Sequence, residues 1–293
     1  MQPFGRVLTA MITPFTDDGA VDHDRAWRLA RFLVGNGSDG LVISGTTGES
    51  PTLSCDEKVA LYRTVVEAVG ERAHIVAGTG TYDTAESIHL SERAAAAGVD
   101  GIMAVTPYYS KPPQAGLLAH FRAIAEATDL PVILYNIPGR TGRLIEIPTL
   151  TALAEHPRIV AVKDAVEDAQ FTARTVSEVG EAMAIYSGQD SITLPLMTVG
   201  AAGVVSVASH LAGPQVAAMV EAAATGDMAE ALRLHLGLLP LFDALFVEPN
   251  PMPVKAAMAA LWEPVGEPRL PLVPARPETV GLVKEALGKA QAL

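Results

Sequence analysis

Cysteine is almost absent from this sequence. Its 293 residues contain one, Cys55, which excludes a disulfide within the chain and a zinc site built from several cysteines. The seven histidines are scattered, without a His-Glu-x-x-His motif or another metal-ligand spacing, so we expect no metal. A single free thiol is typical of proteins of the reducing cytoplasm, and we expect a cytoplasmic protein.

Positive charge and long apolar stretches are also scarce. The net charge is −12 and no basic run is present, which argues against binding to nucleic acid or to an anionic membrane surface. No stretch of about 18 apolar residues is available to span a bilayer, and Met1–Arg6 lacks the start of a signal peptide. A hydrophobic content of 49% predicts instead a large globular core, with some apolar surface buried between subunits.

What the sequence does contain is a repeated alternation of short apolar runs and amphipathic stretches. Each run is followed by a segment of helical periodicity, such as Asp22–Asn36 or Ser54–Gly70. Eight such pairs within about 225 residues predict a (β/α)8 TIM barrel. A doubly wound sheet is the alternative, but no Gly-x-Gly-x-x-Gly motif follows the first run. The predicted strands are Val7–Thr13, Gly40–Ser44, His74–Gly78, Gly101–Thr106, Pro131–Asn136, Ile159–Lys163, Ala184–Ser187 and Gly203–Val207.

The strand signal stops after Gly226. We therefore predict an α/β protein with a catalytic barrel over residues 1–226 and a C-terminal helical appendage over 227–293, packed on the barrel. No low-complexity linker separates the two parts, so independent movement of the appendage is not expected. Its predicted helices are Met228–Phe246, Pro253–Leu261 and Pro277–Leu287.

Lys163 is the most unusual residue of the predicted strands. It ends the apolar run Ile159–Val162, whose composition indicates a strand buried on both faces. Burial disfavours the charged form of a lysine, and the neutral amine is the form that attacks a carbonyl carbon to make a Schiff base. Of the six lysines, only Lys163 ends such a strand. The alternative is a lysine whose amine reaches solvent along its apolar stem.

Residues at the ends of other predicted strands suit a small keto acid, because barrel active sites are built at the carboxyl ends of strands. Gly45–Ser50 offers hydroxyls and backbone N–H groups to a carboxylate, although it also suits a tight turn that caps a helix. Tyr135 could move a proton or fill the core, and Arg140 could bind a carboxylate or remain solvated. Together with Lys163, these groups suggest Schiff-base chemistry on a 2-oxo acid.

Four motifs, Gly45–Ser50, Tyr135–Gly142, Val162–Asp164 and Asn250–Lys255, resemble those of the dihydrodipicolinate synthase (4-hydroxy-tetrahydrodipicolinate synthase) family, in the same order. The likeness extends over essentially the whole length, including the helical tail. The family belongs to the pyruvate-dependent class I aldolases, together with N-acetylneuraminate lyase. The resemblance implies a TIM barrel that needs no cofactor, since the substrate pyruvate itself forms the Schiff base.

The resemblance implies a catalytic role for four residues. Lys163 is similar to the lysine that captures pyruvate, Tyr135 to the proton donor and acceptor, and Thr46 to its partner in a proton relay. Tyr109 resembles the tyrosine that completes this relay from a neighbouring subunit. A homo-oligomer is therefore implied, either a dimer or a tetramer made of two dimers.

Four further residues resemble substrate-binding positions of the family. Thr47 is similar to a contact of the pyruvate carboxylate, and Val205 to a residue whose backbone contacts pyruvate. Gly188 matches a position whose carbonyl lies near the lysine. Arg140 resembles the arginine that binds the carboxylate of the second substrate, L-aspartate 4-semialdehyde.

The implied function is the condensation of pyruvate with this semialdehyde, a step of lysine and diaminopimelate biosynthesis. One alternative is a lyase of the same superfamily that acts on a sugar acid. Such lyases usually lack an arginine at the position of Arg140, because a polyol chain needs hydroxyl partners rather than a cation. The other alternative is a catalytically silent binding or regulatory homologue, against which the retained Lys163 and Tyr135 argue.

The sequence departs from the family at two places in the barrel and at its regulatory site. Asp164–Val166 stands where Glu-Ala-Thr or Glu-Ala-Ser is common, and Gln189 stands where aspartate is common. At the interfacial site for L-lysine, Tyr82 replaces an asparagine, Cys55 and Lys58 replace histidines, and only Glu86 is retained. We therefore expect weak or absent inhibition by lysine.

Overall fold

The computed structural model describes residues 2–293 and contains a closed barrel of eight parallel strands. Each strand pairs with the next one along the chain, and the eighth returns to the first, with Val7 opposite Val204. Helices cover the outside, so the predicted TIM barrel is confirmed. The strands are β1 Val7–Ala10, β2 Gly40–Ile43, β3 His74–Gly78, β4 Gly101–Val105, β5 Val132–Asn136, β6 Ile159–Asp164, β7 Ala184–Ser187 and β8 Gly203–Ser206.

The amphipathic sequences between the strands form the outer helices. In the first of them Leu29 and Leu33, four residues apart, are both buried against the barrel. None of the helices within residues 2–293 combines the length and the hydropathy needed to traverse a bilayer. The barrel helices are α1 His23–Gly35, α2 Cys55–Val69, α3 Thr84–Ala96, α4 Gln114–Glu126, α5 Pro138–Thr141, α6 Ile147–Ala154, α7 Ala169–Val179, α8 Thr193–Thr198 and α9 Ser209–Thr225.

Local signals set the ends of several helices. A capping box begins α2, because the Ser54 side chain accepts from the N–H of Glu57 and the Glu57 carboxylate accepts from the N–H of Ser54. Gly37 and Gly98 follow α1 and α3 with φ values of +95° and +85°, the left-handed conformation that glycine adopts without strain. These features connect the outer helices to the next strands.

Alternate side chains of the strands fill the barrel interior. Ala161 and Ala165 belong to this inner cluster, and Lys163 lies between them on the same face of β6. The ring of Phe4 packs where the strands begin, only 2.6 Å from where a Cβ on Gly101 would stand. The Tyr186 hydroxyl donates to the carbonyl of Gly5 over 2.8 Å. The N-terminal segment therefore closes the amino-terminal end of the barrel.

The tail after Gly226 is helical, as predicted, and packs against the barrel. Leu238 and Leu241 of its first helix are buried in the same apolar core as residues of the barrel helices. Gly226, at φ +87°, ends α9 and begins the turn into the tail. The division of the chain into two parts at this glycine stays a prediction. The tail helices are α10 Met228–Ala244, α11 Met252–Leu261 and α12 Pro277–Gln291.

Candidate active site

A cavity of about 180 Å³ opens at the carboxyl end of the barrel, where active sites of this fold lie. Its wall brings together Thr46, Tyr135 and Arg140, three of the residues predicted for the site. They come from the loop after β2, from the penultimate position of β5 and from α5. Met103 and Tyr108 supply part of its apolar lining. Residues far apart in the sequence thus meet at one opening.

Lys163 lies directly beside Tyr135 inside the barrel. The two residues are paired across β5 and β6, and Nζ of Lys163 is 4.2 Å from the centroid of the Tyr135 ring. The exposed fractions are only 6% for Lys163 and 4% for Tyr135. The small side chains of Ala161 and Ala165 flank the lysine on the same face. The structure therefore places an amine and a phenol together in a site that is largely shielded from water.

A buried carboxylate, Asp190, shapes the turn after β8. It accepts hydrogen bonds from the N–H groups of Val207 and Ala208, at 2.9 and 3.0 Å, and from the Ser206 hydroxyl. Burial raises the pKa of Asp190, while these hydrogen bonds and the nearby charge of Lys163 act in the opposite direction. Asp190 was not among the residues predicted for the site. Its partners lie 16 to 18 residues away, so only the fold reveals the contact.

The loop after β2 is fixed by contacts with distant residues. The Thr13 hydroxyl donates to the carbonyl of Gly48 at 2.7 Å, and a Cβ on Gly48 would stand 3.0 Å from the carbonyl oxygen of Met11. Thr46 reaches the cavity wall, whereas Thr47 is buried and is not part of that wall. Instead, Oγ1 of Thr47 accepts from Nδ2 of Asn250 at 2.9 Å. The hydroxyl of the second threonine is therefore in contact with the helical tail.

A buried ion pair ties the same loop to the tail. Nζ of Lys255 donates to Oε1 of Glu49 at 2.7 Å, with both side chains 1% exposed, and the N–H of Arg269 donates to Oε2 at 2.8 Å. Burial lowers the pKa of Lys255, and the charge of Glu49 opposes that shift. Lys255 ends the Asn250–Lys255 motif, and this contact gives it a structural role. Its partner lies 206 residues away, and nothing in the sequence pointed to it.

Arg140 lies at the mouth of the cavity. It belongs to α5, a single helical turn that begins at Pro138. The Thr141 hydroxyl donates to the carbonyl of Ile137 at 3.0 Å and stabilises this turn. The guanidinium is exposed, and among residues 2–293 no carboxylate forms an ion pair with it. It is therefore available to bind a carboxylate from solution.

Besides Thr47, four of the predicted residues lie away from the cavity wall. Tyr109 is 93% exposed and adopts the left-handed conformation, with φ +69°. Val205 of β8 is buried in the inner cluster. Gly188 packs so closely that a Cβ there would stand 2.8 Å from the Cβ of Ala165. Lys163 itself is also absent from the lining of the cavity, being buried beside Tyr135.

The sequence is similar to one enzyme family over nearly its whole length. The model of the Dihydrodipicolinate synthetase family matches residues 3–290. The 4-hydroxy-tetrahydrodipicolinate synthase of Acidothermus cellulolyticus is 55% identical over 288 residues, which are 98% of this chain and 93% of that protein. The enzyme of the same name from Moorella thermoacetica is 54% identical over 284 residues, 97% of each chain.

Solved structures of the same family superimpose closely. Dihydrodipicolinate synthase from Cyanidioschyzon merolae, crystallised with lysine bound, has a TM-score of 0.97 at 45% identity, with all of each chain covered. Dihydrodipicolinate synthase DapA-2 of Bacillus anthracis has a TM-score of 0.95 at 44% identity and covers 98% of this chain and 99% of its own. The motifs, the barrel and the relatives agree, and the chain belongs to the dihydrodipicolinate synthetase family of Schiff-base-forming lyases.

Proposed function

We propose that the protein condenses pyruvate with L-aspartate 4-semialdehyde, the reaction of 4-hydroxy-tetrahydrodipicolinate synthases, through a Schiff base at Lys163. The observation that carries the proposal is the amine of Lys163, buried inside the barrel and 4.2 Å from the ring of Tyr135. The reaction needs no cofactor, because the lysine amine itself converts the ketone into an electron-withdrawing iminium.

The first stage activates pyruvate. Nζ of Lys163 attacks the C2 carbon, and the C2 oxygen takes up protons and leaves as water, giving the iminium. A proton then leaves C3, and its electrons form the enamine. Tyr135 receives and returns these protons, with Thr46 as the next member of the relay and Tyr109 of a second subunit as the third. A positioned acid or base of this kind contributes about 10² to 10⁴ in rate.

The second stage joins the two substrates. The enamine C3 attacks the aldehyde carbon, and the aldehyde oxygen takes a proton to become a hydroxyl. The amine of the bound semialdehyde then attacks C2, the bond from C2 to Nζ breaks, and the ring closes as Lys163 is released. Arg140, at the mouth of the cavity, holds the carboxylate of the semialdehyde through a charge-assisted hydrogen bond.

The pyruvate carboxylate is held at the loop after β2. The hydroxyl of Thr47 and the loop backbone donate to it, since a tight loop that enters a helix presents N–H groups to an anion. The backbone of Val205 and the carbonyl of Gly188 complete the pocket around C2 and the amine. These assignments rest on the family resemblance and on the position of each residue near the carboxyl end of the barrel.

We also propose a homodimer, or a tetramer of two dimers, in the cytoplasm. Tyr109 supports the oligomer, because its side chain is exposed and lies outside the cavity lining of its own chain, which leaves it open to the active site of a neighbouring chain. The single free thiol, Cys55, suits a reducing compartment.

The decisive test is reduction with borohydride in the presence of pyruvate, followed by peptide mass mapping. We expect the pyruvyl adduct on Lys163 and on no other lysine. Lys163→Met should remove the label, whereas Lys111→Met, which changes an exposed lysine near the same mouth, should retain it. A label on another lysine, or none on the unaltered protein, contradicts the proposal.

A second assay separates this reaction from that of a sugar-acid lyase. Condensation of pyruvate with L-aspartate 4-semialdehyde is measured beside the release of pyruvate from sugar acids such as N-acetylneuraminate. We expect condensation to be favoured by several orders of magnitude in kcat/KM, because Arg140 offers a cation where a polyol chain needs hydroxyl partners. Faster release of pyruvate from a sugar acid contradicts the assignment of the semialdehyde.

A further inference from the structure

The hydroxyl of Thr47 forms a hydrogen bond with a residue of the helical tail. Asn250, which immediately precedes Pro251 at the start of α11, is buried, and its Nδ2 donates to Oγ1 of Thr47 at 2.9 Å. Thr47 is buried as well. The two residues are 203 positions apart, so the contact joins the tail directly to the loop that carries the proposed carboxylate site.

The direction of this hydrogen bond decides what the threonine can do. A hydroxyl has one proton to donate and two lone pairs that accept. Because the Asn250 amide donates into one lone pair, the proton of Thr47 points elsewhere, and within residues 2–293 the hydroxyl donates to no other group. The amide therefore leaves Thr47 as a donor, which is the form that a substrate carboxylate requires.

Two contacts of Lys255 lie close to the Thr47–Asn250 pair. The Glu49–Lys255 ion pair lies two residues beyond Thr47 on the loop and five residues beyond Asn250 on the tail. Nζ of Lys255 also lies 4.1 Å from the centroid of the Phe15 ring. Breaking a buried ion pair is strongly destabilising, since it leaves one charge unpaired away from water. The loop and the tail are thus also fixed to each other beside the Thr47–Asn250 contact.

The position of the Asn250 side chain leaves one of its polar atoms without a hydrogen bond. Its Oδ1 is buried and has no partner within residues 2–293, and a buried acceptor without a partner is unfavourable. An apolar side chain of similar size would avoid that cost. An amide at this position is therefore explained by its donor group, which acts on Thr47.

We propose that Asn250 is a positioning residue that orients the Thr47 hydroxyl as a hydrogen-bond donor to the carboxylate of pyruvate. The inference rests on the proposed function and extends it, because it makes the helical tail a working part of the keto-acid site. Asn250 touches no substrate itself and acts through Thr47.

The test uses two substitutions of similar size. In Asn250→Asp the carboxylate can only accept, so the Thr47 proton turns toward it, and a negative charge is placed near the pyruvate carboxylate. In Asn250→Leu the donor is lost without a new charge. We expect the KM for pyruvate to rise about 10- to 100-fold for the aspartate variant and severalfold for the leucine variant. The kcat at saturating pyruvate and the KM for the semialdehyde should change less than threefold.

A double-mutant cycle with Thr47→Val identifies the route of the effect. If Asn250 acts through the threonine hydroxyl, adding Asn250→Leu to Thr47→Val should raise the KM for pyruvate no further. Equal KM values for the wild-type and aspartate proteins overturn the inference, and so do additive effects in the cycle. Should the aspartate variant not fold, the leucine variant and the cycle decide the question alone. If Asn250 had only a structural role, its substitution would instead lower the melting temperature and kcat without a selective effect on the KM for pyruvate.

Borohydride trapping separates this inference from the proposed function. The pyruvate concentration that gives half-maximal labelling of Lys163 should rise in the Asn250 variants in parallel with KM. A wild-type protein that shows no label contradicts the Schiff-base function itself. A wild-type protein that is labelled, with half-saturation unchanged in the variants, contradicts only the role of Asn250.

Discussion

Three of the six lysines are buried, and their surroundings distinguish them. Lys255 is paired with Glu49, and Lys58 lies in α2 within the electrostatic influence of Glu86; burial lowers the pKa of both. Lys163 faces the barrel interior beside a phenol, and no carboxylate within residues 2–293 forms an ion pair with it. Burial alone therefore does not mark a reactive lysine. Position at the carboxyl end of a barrel strand does.

Replacing Tyr135 by phenylalanine tests the proton relay. The ring that packs beside Lys163 is kept, and only the hydroxyl is lost. We expect kcat to fall by about 10² to 10⁴. Tyr186→Phe is the matched control, because that hydroxyl bonds to Gly5 at the closed end of the barrel; it should cost about 1 kcal/mol of stability and leave kcat unchanged. Similar losses of kcat in both variants contradict the relay.

Replacing Arg140 by alanine tests how the second substrate is recognised. Loss of a charge-assisted hydrogen bond is worth about 1.5–3 kcal/mol, so the KM for the semialdehyde should rise roughly 10- to 100-fold. Arg140→Lys keeps the charge without the planar fork and should recover part of the affinity. Half-saturation of borohydride trapping by pyruvate should stay unchanged in both variants. A change in the half-saturation by pyruvate would instead indicate that Arg140 binds the keto acid.

The elements of the barrel were readable from the sequence because each carries its own local signal. Apolar runs marked all eight strands, and the Ser54–Glu57 capping box marked the start of α2. The single turn α5 was missed, since four residues with a proline and a glycine carry too little periodicity to be recognised. The Thr47–Asn250 and Glu49–Lys255 contacts were missed for another reason. They join residues more than 200 positions apart, and a local sequence pattern cannot predict a contact over that separation.

The start of α2 is joined to the tail by Arg269, and this contact has a pH dependence. The guanidinium of Arg269 donates to both oxygens of Glu57, at 2.6 and 3.2 Å. Mainly because of these bonds, the pKa of Glu57 falls from 4.5 to about 2. The carboxylate therefore stabilises the fold fully above pH 4.5, and this contribution is lost as the pH falls toward 2.

The substitution Glu57→Gln isolates this charge, because glutamine can still complete the capping box. The pair is partly exposed and screened by solvent, so we expect a loss of only about 0.5–1 kcal/mol in the free energy of unfolding at pH 7. The difference from the wild type should shrink below pH 4.5 and vanish near pH 2. Urea denaturation at a series of pH values measures it. A difference that is constant with pH contradicts the ion pair as its source.

At the scale of the whole molecule, two exposed aromatic side chains lie next to Tyr108, which lines the cavity. Tyr109 projects into solvent, and Tyr82, also exposed, packs edge-on against Tyr108 with ring centroids 5.2 Å apart. Aromatic residues are enriched where proteins associate. In the proposed oligomer, this is the surface across which a second chain would bring its Tyr109 to the cavity.

Subunit mixing tests that arrangement directly. A Tyr109→Phe chain keeps Lys163, and a Lys163→Met chain keeps Tyr109. If the tyrosine acts across an interface, a mixed oligomer contains one site with both groups. We therefore expect mixtures of the two variants to recover condensation activity that neither variant shows alone, after reversible dissociation and reassociation. A mixture no more active than the sum of its parts contradicts a shared site.

The response to L-lysine is a second property to be tested at this scale. Lys58 is buried, and the charge of Glu86 acts on it, so the carboxylate that would pair with a bound lysine already interacts with an amine of the protein. The Cys55 thiol is likewise occupied, accepting from Arg93 at 3.1 Å. We therefore expect submillimolar L-lysine to leave the rate of condensation nearly unchanged. Strong inhibition in a dose–response assay contradicts this, and Lys58→His should increase any inhibition that is found.

Phe4 closes the amino-terminal end of the barrel, so the interior opens to solvent at the carboxyl end alone, as far as residues 2–293 show. The buried amine of Lys163 lies deep in this interior, while the exposed guanidinium of Arg140 stands at the opening. On the proposed function, pyruvate would have to enter before the semialdehyde, and the product would have to leave before the next pyruvate could bind. We therefore expect excess semialdehyde to obstruct the entry of pyruvate and to lower the rate of condensation.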